Sequence, residues 1–96
     1  MRHIFVVNPH SGPRDITLAL RQALSGVDCE IYSTKGVGDA VRFVRERCQQ
    51  AREPLRFYAC GGDGTFNECV CGAAQLENVA VCPFPTGTGN DFCRMF

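Results

Sequence analysis

The sequence has no net charge and almost no lysine. Ten Lys and Arg residues balance ten Asp and Glu residues, and Lys35 is the single lysine among 96 residues. A domain that binds nucleic acid over its surface needs a clear basic excess. The composition therefore argues against a nucleic-acid partner, whereas a small ligand needs only local charge.

Long hydrophobic runs are also missing. No apolar stretch approaches the roughly 20 residues that cross a bilayer. Residues 1–12 lack the apolar region and small-residue cleavage site of a secretory signal. We therefore expect a soluble, cytoplasmic protein, and its length suits one domain or part of one.

The cysteines lack the C-x-x-C spacing of common metal and redox sites, and their number, seven, is odd. Most lie in apolar segments. Cys69 and Cys71 are two residues apart on a predicted helix, so they point to different sides. We expect small buried hydrophobic residues in a reducing cytosol rather than zinc ligands or disulfides.

Hydrophobic patterning alternates between strands and helices. The predicted strands are 3–7, 29–34, 55–60 and 79–84, and the predicted helices are 16–24, 38–52 and 65–76. Asp15 is the expected N-cap of the first helix. This alternation predicts parallel crossover units on a central sheet. A fourth helix starts near residue 90 without a stop signal, so we expect the N-terminal part of a longer protein.

Glycine-rich or polar loops follow three of the strands: "NPHSG" (8–12), "GGDGT" (61–65) and "PTGTGND" (85–91). Ligands of parallel sheets bind at these carboxyl ends. Glycine lets backbone N–H groups approach phosphate closely, and the following helix directs its positive end to the same place. A phosphate-bearing ligand is therefore predicted over three ordinary turns. Thr65 and Thr88 add hydroxyl donors, while Asn67 and Asn90 either add donors or cap their helices.

Asp63 lies inside the second of these loops, where its charge would repel phosphate. Two like charges 4 Å apart repel by about 4 kcal/mol at an effective dielectric of 20. A Mg²⁺ ion bridging carboxylate and phosphate removes this cost. Asp63 and Asp91 are therefore predicted magnesium ligands, directly or through water. The alternatives are a turn aspartate bonded to its own backbone for Asp63 and a helix-start residue for Asp91.

Other phosphate-binding motifs do not fit. The sequence has no G-x-x-x-x-G-K-[ST], and "GVGDAV" and "GTGNDF" lack the third glycine of the dinucleotide fingerprint. The "TGTGND" segment looks like the phosphate loop of flavodoxins, but that loop follows the first strand, and this one follows the fourth.

Four segments together resemble the diacylglycerol kinase catalytic family, which includes bacterial diacylglycerol kinases and related lipid kinases. They are "NPHSG" (8–12), Thr34 with "GDA" (38–40), "GGDGTFNEC" (61–69) and "PTGTGNDFCR" (85–94). GGDGT alone also occurs in NAD kinases and, with serine for threonine, in phosphofructokinases. The added "FNE" and "GTGNDF" indicate the lipid kinase branch. Where the family often has a lysine after the first loop, this chain has Pro13 and Arg14, so the role of Arg14 is open.

The resemblance implies a fold and a site. The fold is α/β and Rossmann-like, a three-layer sandwich with a mostly parallel sheet as in phosphofructokinases and NAD kinases. Residues 1–96 would be the N-terminal ATP-binding part of the catalytic domain, truncated at its C-terminal end, without the family's C-terminal β domain. Asp63 and Asp91 would form the magnesium and catalytic network. The implied ATP-binding residues are Asn8, Pro9, His10, Ser11, Gly12, Thr34, Gly61, Gly62, Asp63, Gly64, Thr65, Phe66, Asn67 and Thr88.

The implied reaction is transfer of the ATP γ-phosphoryl group to the hydroxyl of a lipid such as diacylglycerol, a step of phospholipid metabolism. The cofactors are ATP and Mg²⁺. The missing part would supply the catalytic base and a transient contact with the inner face of the membrane, so these residues alone are expected to be inactive. A homodimer is left open. The alternatives are a non-catalytic nucleotide-binding module and a sphingoid-base or NAD kinase-like activity.

Overall fold

Residues 1–10 and 16–84 are described by the structure, a computed structural model. Strands and helices alternate along them, as the hydrophobic pattern predicts. The predicted fourth helix lies outside these residues. The elements are β1 (Arg2–Val7), α1 (Thr17–Ala23), β2 (Glu30–Ser33), α2 (Asp39–Gln50), β3 (Leu55–Cys60), α3 (Asp63–Gly72) and β4 (Val79–Pro83).

The four strands form one sheet in the order β2-β1-β3-β4, and every neighbouring pair is parallel. Val7 at the end of β1 is level with Ser33 of β2 and Cys60 of β3. The chain adds β2 on one side of β1 and β3 on the other. The carboxyl ends of β1 and β3 therefore form the topological switch point where sheets of this kind bind ligands.

Alternate side chains of β1 enter two separate cores. Ile4 and Val6 pack in a cluster with residues of α2 and α3. Phe5 and Val7 pack on the opposite face with Leu20 of α1 and with Leu24, the C-cap of that helix. The sheet is therefore covered by helices on both faces, which confirms the predicted three-layer α/β fold.

The ends of several elements differ from the prediction. α1 has Ile16 at its N-cap position instead of Asp15. β3 has the predicted bounds. α3 begins two residues before the predicted start, because an acidic residue is favoured in a first helical turn. It ends at Gly72, before Gln75 and Asn78 adopt positive φ angles of 64° and 62°.

The cysteines match the expectation only in part. All of those in the described ranges are free thiols. Cys69 is buried whereas Cys71 is exposed, as their spacing predicts, and Cys60 is buried too. Burial raises the pKa of both the Cys60 and the Cys69 thiol to about 12. The remaining described cysteines, Cys29, Cys48 and Cys82, are half-buried. Within the same residues, no helix has the length and apolar character needed to cross a membrane.

Candidate functional site

The first residues after β1, β2 and β3 are held side by side by the sheet's own hydrogen bonding. The Asn8 N–H donates to the Cys60 carbonyl at 3.1 Å, and the Thr34 N–H donates to the Val7 carbonyl at 2.8 Å. Pairing thus continues past the strand ends. The predicted site residues Asn8, Thr34 and Gly61 consequently start three loops at one edge of the sheet.

A cleft of about 180 Å³ lies over this edge. Four of the predicted ligand-binding residues line it: Asn8, His10, Thr34 and Thr65. The rest of the lining comes from Gly36 and Val37 of the β2–α2 loop (34–38), Ala40 of α2 and Glu68 of α3. The structure therefore brings together residues from the loop after β1, from the start of the segment after β2 and from the first half of α3.

The polar side chains at the base of the cleft are buried. Thr34 is 8% exposed and Thr65 is 5% exposed, and they are the buried polar residues of the described chain. Asn8 adds a local turn, because its Oδ1 accepts a hydrogen bond from the His10 N–H at 2.9 Å. The half-buried Pro9 lies inside this turn. Because both residues line the cleft, their hydroxyl groups are suited to donate hydrogen bonds to a polar ligand.

The glycines beside Asp63 are not required by the fold. Gly62 is the N-cap of α3 with φ −86° and ψ −167°, which other residues adopt readily. A Cβ built on Gly62 or Gly64 would meet no atom within 4 Å. Gly26 and Gly38 differ, because their φ angles of 86° and 85° favour glycine. Gly62 and Gly64 instead leave open space through which a ligand can reach the backbone.

Asp63 is the first residue of α3, and its side chain is exposed. Within the described residues, its carboxylate has no hydrogen-bond or ion-pair partner. The alternative, that Asp63 is a turn aspartate bonded to its own backbone, is therefore wrong within the described residues. The helix N-terminus favours a negative charge, but the carboxylate oxygens stay available to a cation.

The donors at this edge suit magnesium better than zinc. No group of three or more His, Cys, Asp and Glu residues that could hold a metal ion occurs in the described ranges. Mg²⁺ needs only one or two carboxylates when it also binds phosphate oxygens and water. Asp63 fits that role, and its predicted companion Asp91 lies outside the described residues together with Ser11, Gly12 and Thr88.

Two further predicted ligand-binding residues, Phe66 and Asn67, lie on α3 itself. Phe66 packs against the core between the sheet and α2 and α3. Asn67 is exposed and lies within the helix, so the alternative that it caps α3 is wrong, since Gly62 occupies that position. The half-buried Gly61 directly follows β3. Their contacts with a ligand stay predictions.

Sequence reasoning missed Glu68 and the anchoring of the β2–α2 loop. Glu68 Oε1 accepts a hydrogen bond from the Gly38 N–H at 3.0 Å, across 30 residues of sequence. Asp39 Oδ2 accepts from the Tyr32 hydroxyl at 2.7 Å and from the Lys35 N–H at 2.9 Å. The Tyr32 bond is the main cause that lowers the pKa of Asp39 to about 2. The available signal was the spacing of Thr65 and Glu68, which puts both on one helical face.

The fold and the cleft define the chain as a doubly wound α/β protein whose candidate ligand site lies at the topological switch point of a parallel sheet. The family model of the diacylglycerol kinase catalytic domain matches residues 2–96. The chain therefore belongs to the diacylglycerol kinase catalytic domain family, which confirms the resemblance stated above.

Individual relatives agree with this assignment. A diacylglycerol kinase of Bacillus subtilis (strain 168) is 37% identical over 95 residues, which cover 93% of this chain and 31% of that protein. One from Staphylococcus epidermidis (strain RP62A) is 38% identical, covering 93% and 29%. A crystal structure of a diacylglycerol kinase from Bacillus anthracis str. Sterne has a TM-score of 0.65 and 33% identity, covering 97% of this chain and 35% of that one. The chain thus spans about a third of the length of these relatives.

Proposed function

We propose that the protein containing this chain is an ATP-dependent lipid kinase and that residues 1–96 supply its ATP-binding half. It would transfer the γ-phosphoryl group of ATP to the hydroxyl of a lipid such as diacylglycerol. Family membership supports this class of reaction. The observation that carries the ATP site is the exposed Asp63, which has no partner within the described residues and lies between two glycines that the fold does not need.

Backbone N–H groups at the start of α3 are the proposed phosphate donors. The first N–H groups of a helix have no partner within the helix. Neither Gly62 nor Gly64 puts a side chain in front of them. The buried Thr34 and Thr65 hydroxyls lie in the adjoining cleft. A nucleotide phosphate at this place would meet the positive end of the helix and several hydrogen-bond donors at once.

Asp63 is proposed to hold Mg²⁺, directly or through water, with Asp91 as a second ligand. When bound, Mg²⁺ neutralises the negative charge that phosphoryl transfer places on the phosphate oxygens. The task of the chain's own residues is to orient the nucleotide. Ser11, Gly12 and Thr88 belong to the same proposed site. A lipid substrate requires a transient contact with a membrane surface, which we propose for another part of the protein.

A nucleotide-binding module without transfer is the second candidate. The observation in its favour concerns Glu68, the carboxylate that lines the cleft. Its Oε1 accepts the hydrogen bond from Gly38, so this carboxylate already has a structural role in holding the loop. Under this reading the protein binds Mg²⁺ and ATP but phosphorylates no lipid.

The test uses the longest natural protein that contains this chain, assayed for transfer of labelled phosphate from ATP to diacylglycerol in mixed micelles. We expect transfer, and we expect Asp63→Asn to lower it by about 10²-fold or more while the free energy of unfolding falls by no more than about 1 kcal/mol. Asp28→Asn is the matched control, because Asp28 is an exposed acid that lies before the amino end of β2. It should retain full transfer.

Calorimetric titration with ATP, with and without Mg²⁺, separates the two candidates. Magnesium-dependent ATP binding without transfer to diacylglycerol, to other lipids or to sphingoid bases would favour the binding module. Absence of ATP binding by protein shown to be folded would overturn both.

A further inference from the structure

We infer that Glu68 is a positioning residue that fixes the β2–α2 loop (34–38) against α3 and thereby keeps the nucleotide cleft in shape. The inference rests on the proposed function and deepens it. Glu68 lines the cleft but carries the same sign of charge as the proposed ligand. A carboxylate is unfavourable in a cleft proposed to bind an anion, so we expect Glu68 to have a role other than ligand binding. Its hydrogen bond with the Gly38 N–H is such a role.

The hydrogen bond between Gly38 and Glu68 connects the β2–α2 loop to α3, which the hydrogen bonds of the sheet do not. Gly38 N donates to Glu68 Oε1 at 3.0 Å, and the two residues are 30 positions apart. Gly38 is the N-cap of α2 and has a left-handed conformation with φ 85° and ψ −13°. The N–H that meets Glu68 is thus presented by a backbone conformation that glycine adopts at little cost.

The loop held by this bond forms one wall of the cleft. Gly36 and Val37 line the cleft and are exposed. At its β2 end the loop is held by Asp39, which accepts hydrogen bonds from the Lys35 N–H and the Tyr32 hydroxyl. Asp39 itself belongs to α2, so those bonds order the loop relative to its own helix. The Glu68 bond fixes it relative to α3, which carries Asp63 and Thr65.

The acceptor oxygen and the negative charge of Glu68 can be separated experimentally. Glutamine at this position keeps an oxygen acceptor for the Gly38 N–H but has no charge, whereas alanine has neither. A positioning role through Gly38 therefore predicts that Glu68→Gln behaves like the wild type and that Glu68→Ala does not. A role of the charge itself predicts that both variants fail.

The experiment measures two quantities in the longest natural protein that contains this chain: the dissociation constant for Mg²⁺–ATP by calorimetry and the amide hydrogen exchange of Gly38 by NMR. In Glu68→Ala we expect about tenfold weaker ATP binding and about tenfold faster Gly38 exchange. Glu68→Gln should stay within about threefold of the wild type in both. Glu46→Ala, an exposed glutamate of α2, is the control and should change neither.

Each outcome has a defined meaning. Wild-type ATP affinity in a folded Glu68→Ala variant would overturn the inference, and so would equal losses in Glu68→Ala and Glu68→Gln. If the wild type itself binds no ATP, the proposed function fails instead. In that case faster Gly38 exchange in Glu68→Ala alone would still show that the bond holds the loop.

Discussion

The two edges of the sheet are built from different chemistry. At the carboxyl edge lie buried threonines, glycines with open space beside them and the carboxylate of Asp63, which has no partner among the residues that the structure describes. At the amino edge, charges are paired. Glu30 accepts hydrogen bonds from Arg2 Nε at 2.9 Å and from Arg47 Nε at 3.0 Å, and Arg2 also pairs with Asp28.

Helix α3 shows the same contrast along its own length. A Cβ on Gly64, near its start, would meet no atom within 4 Å. A Cβ on Gly72, its last residue, would lie 2.8 Å from the Val41 carbonyl oxygen and 2.8 Å from the Val44 Cβ of α2. One glycine leaves room for a ligand, and the other lets two helices pack closely. The close packing of α3 on α2 and the ion pairs of Glu30 therefore lie away from the threonines and open glycines of the carboxyl edge.

The largest effect on stability is expected from Gly72→Ala. The added methyl group would overlap backbone and side-chain atoms of α2, and overpacking of this kind costs about 1–3 kcal/mol. Because Gly72 is the last residue of α3, alanine gains less there than the roughly 1 kcal/mol of helix propensity that it gains in a helix interior. Urea unfolding measures the loss. Gly64→Ala is the control on the same helix and should not destabilise the protein. If Gly72→Ala is as stable as the wild type, the close packing of α2 and α3 is wrong.

A smaller loss is expected from Glu30→Gln at the amino edge. The variant weakens the ion pairs with Arg2 and Arg47, and at neutral pH it should cost about 1 kcal/mol of unfolding free energy. Glu46→Gln removes only an exposed i,i+4 pair with Arg42 and should show no measurable change.

The pH dependence of this loss has a defined sign. The hydrogen bond from Arg47, more than that from Arg2, holds the pKa of Glu30 below its ordinary value of 4.5. A lowered folded-state pKa stabilises the protein above pH 4.5, and this contribution is lost as the pH falls through the lowered pKa. The difference between Glu30→Gln and the wild type should therefore shrink on acidification below pH 4.5. A difference that does not change with pH would contradict the charged pairing.

The smallest effect on stability is expected at the carboxyl edge, from Val37→Ser. Val37 is fully exposed on the β2–α2 loop, so its side chain contributes almost no burial to the fold. The free energy of unfolding should change by less than about 0.5 kcal/mol. A loss comparable to that of Gly72→Ala in the same urea assay would mean that the cleft wall is part of the folding core, and the contrast between the two edges would disappear.

Most of the fold was predictable because its signals are local. The period of the apolar residues placed β3 within its observed bounds and the other strands within one residue at either end. The start of α3 was predicted two residues too late, because the low helix propensity of Gly64 indicated that the loop continued through that residue. The same error treated Asp63 as a loop residue and left a capping role open for Asn67.

The sequence by itself determined the alternation of strands and helices, the glycine-rich loops and the family, since each depends on neighbouring residues or short motifs. Only the tertiary structure decided which distant groups meet. Glu68 reaches Gly38 because the strand order β2-β1-β3 and the packing of α3 on α2 bring them together. Gly72 likewise meets Val41 and Val44. Such contacts depend on how elements far apart in the chain pack, and residue spacing does not encode that arrangement.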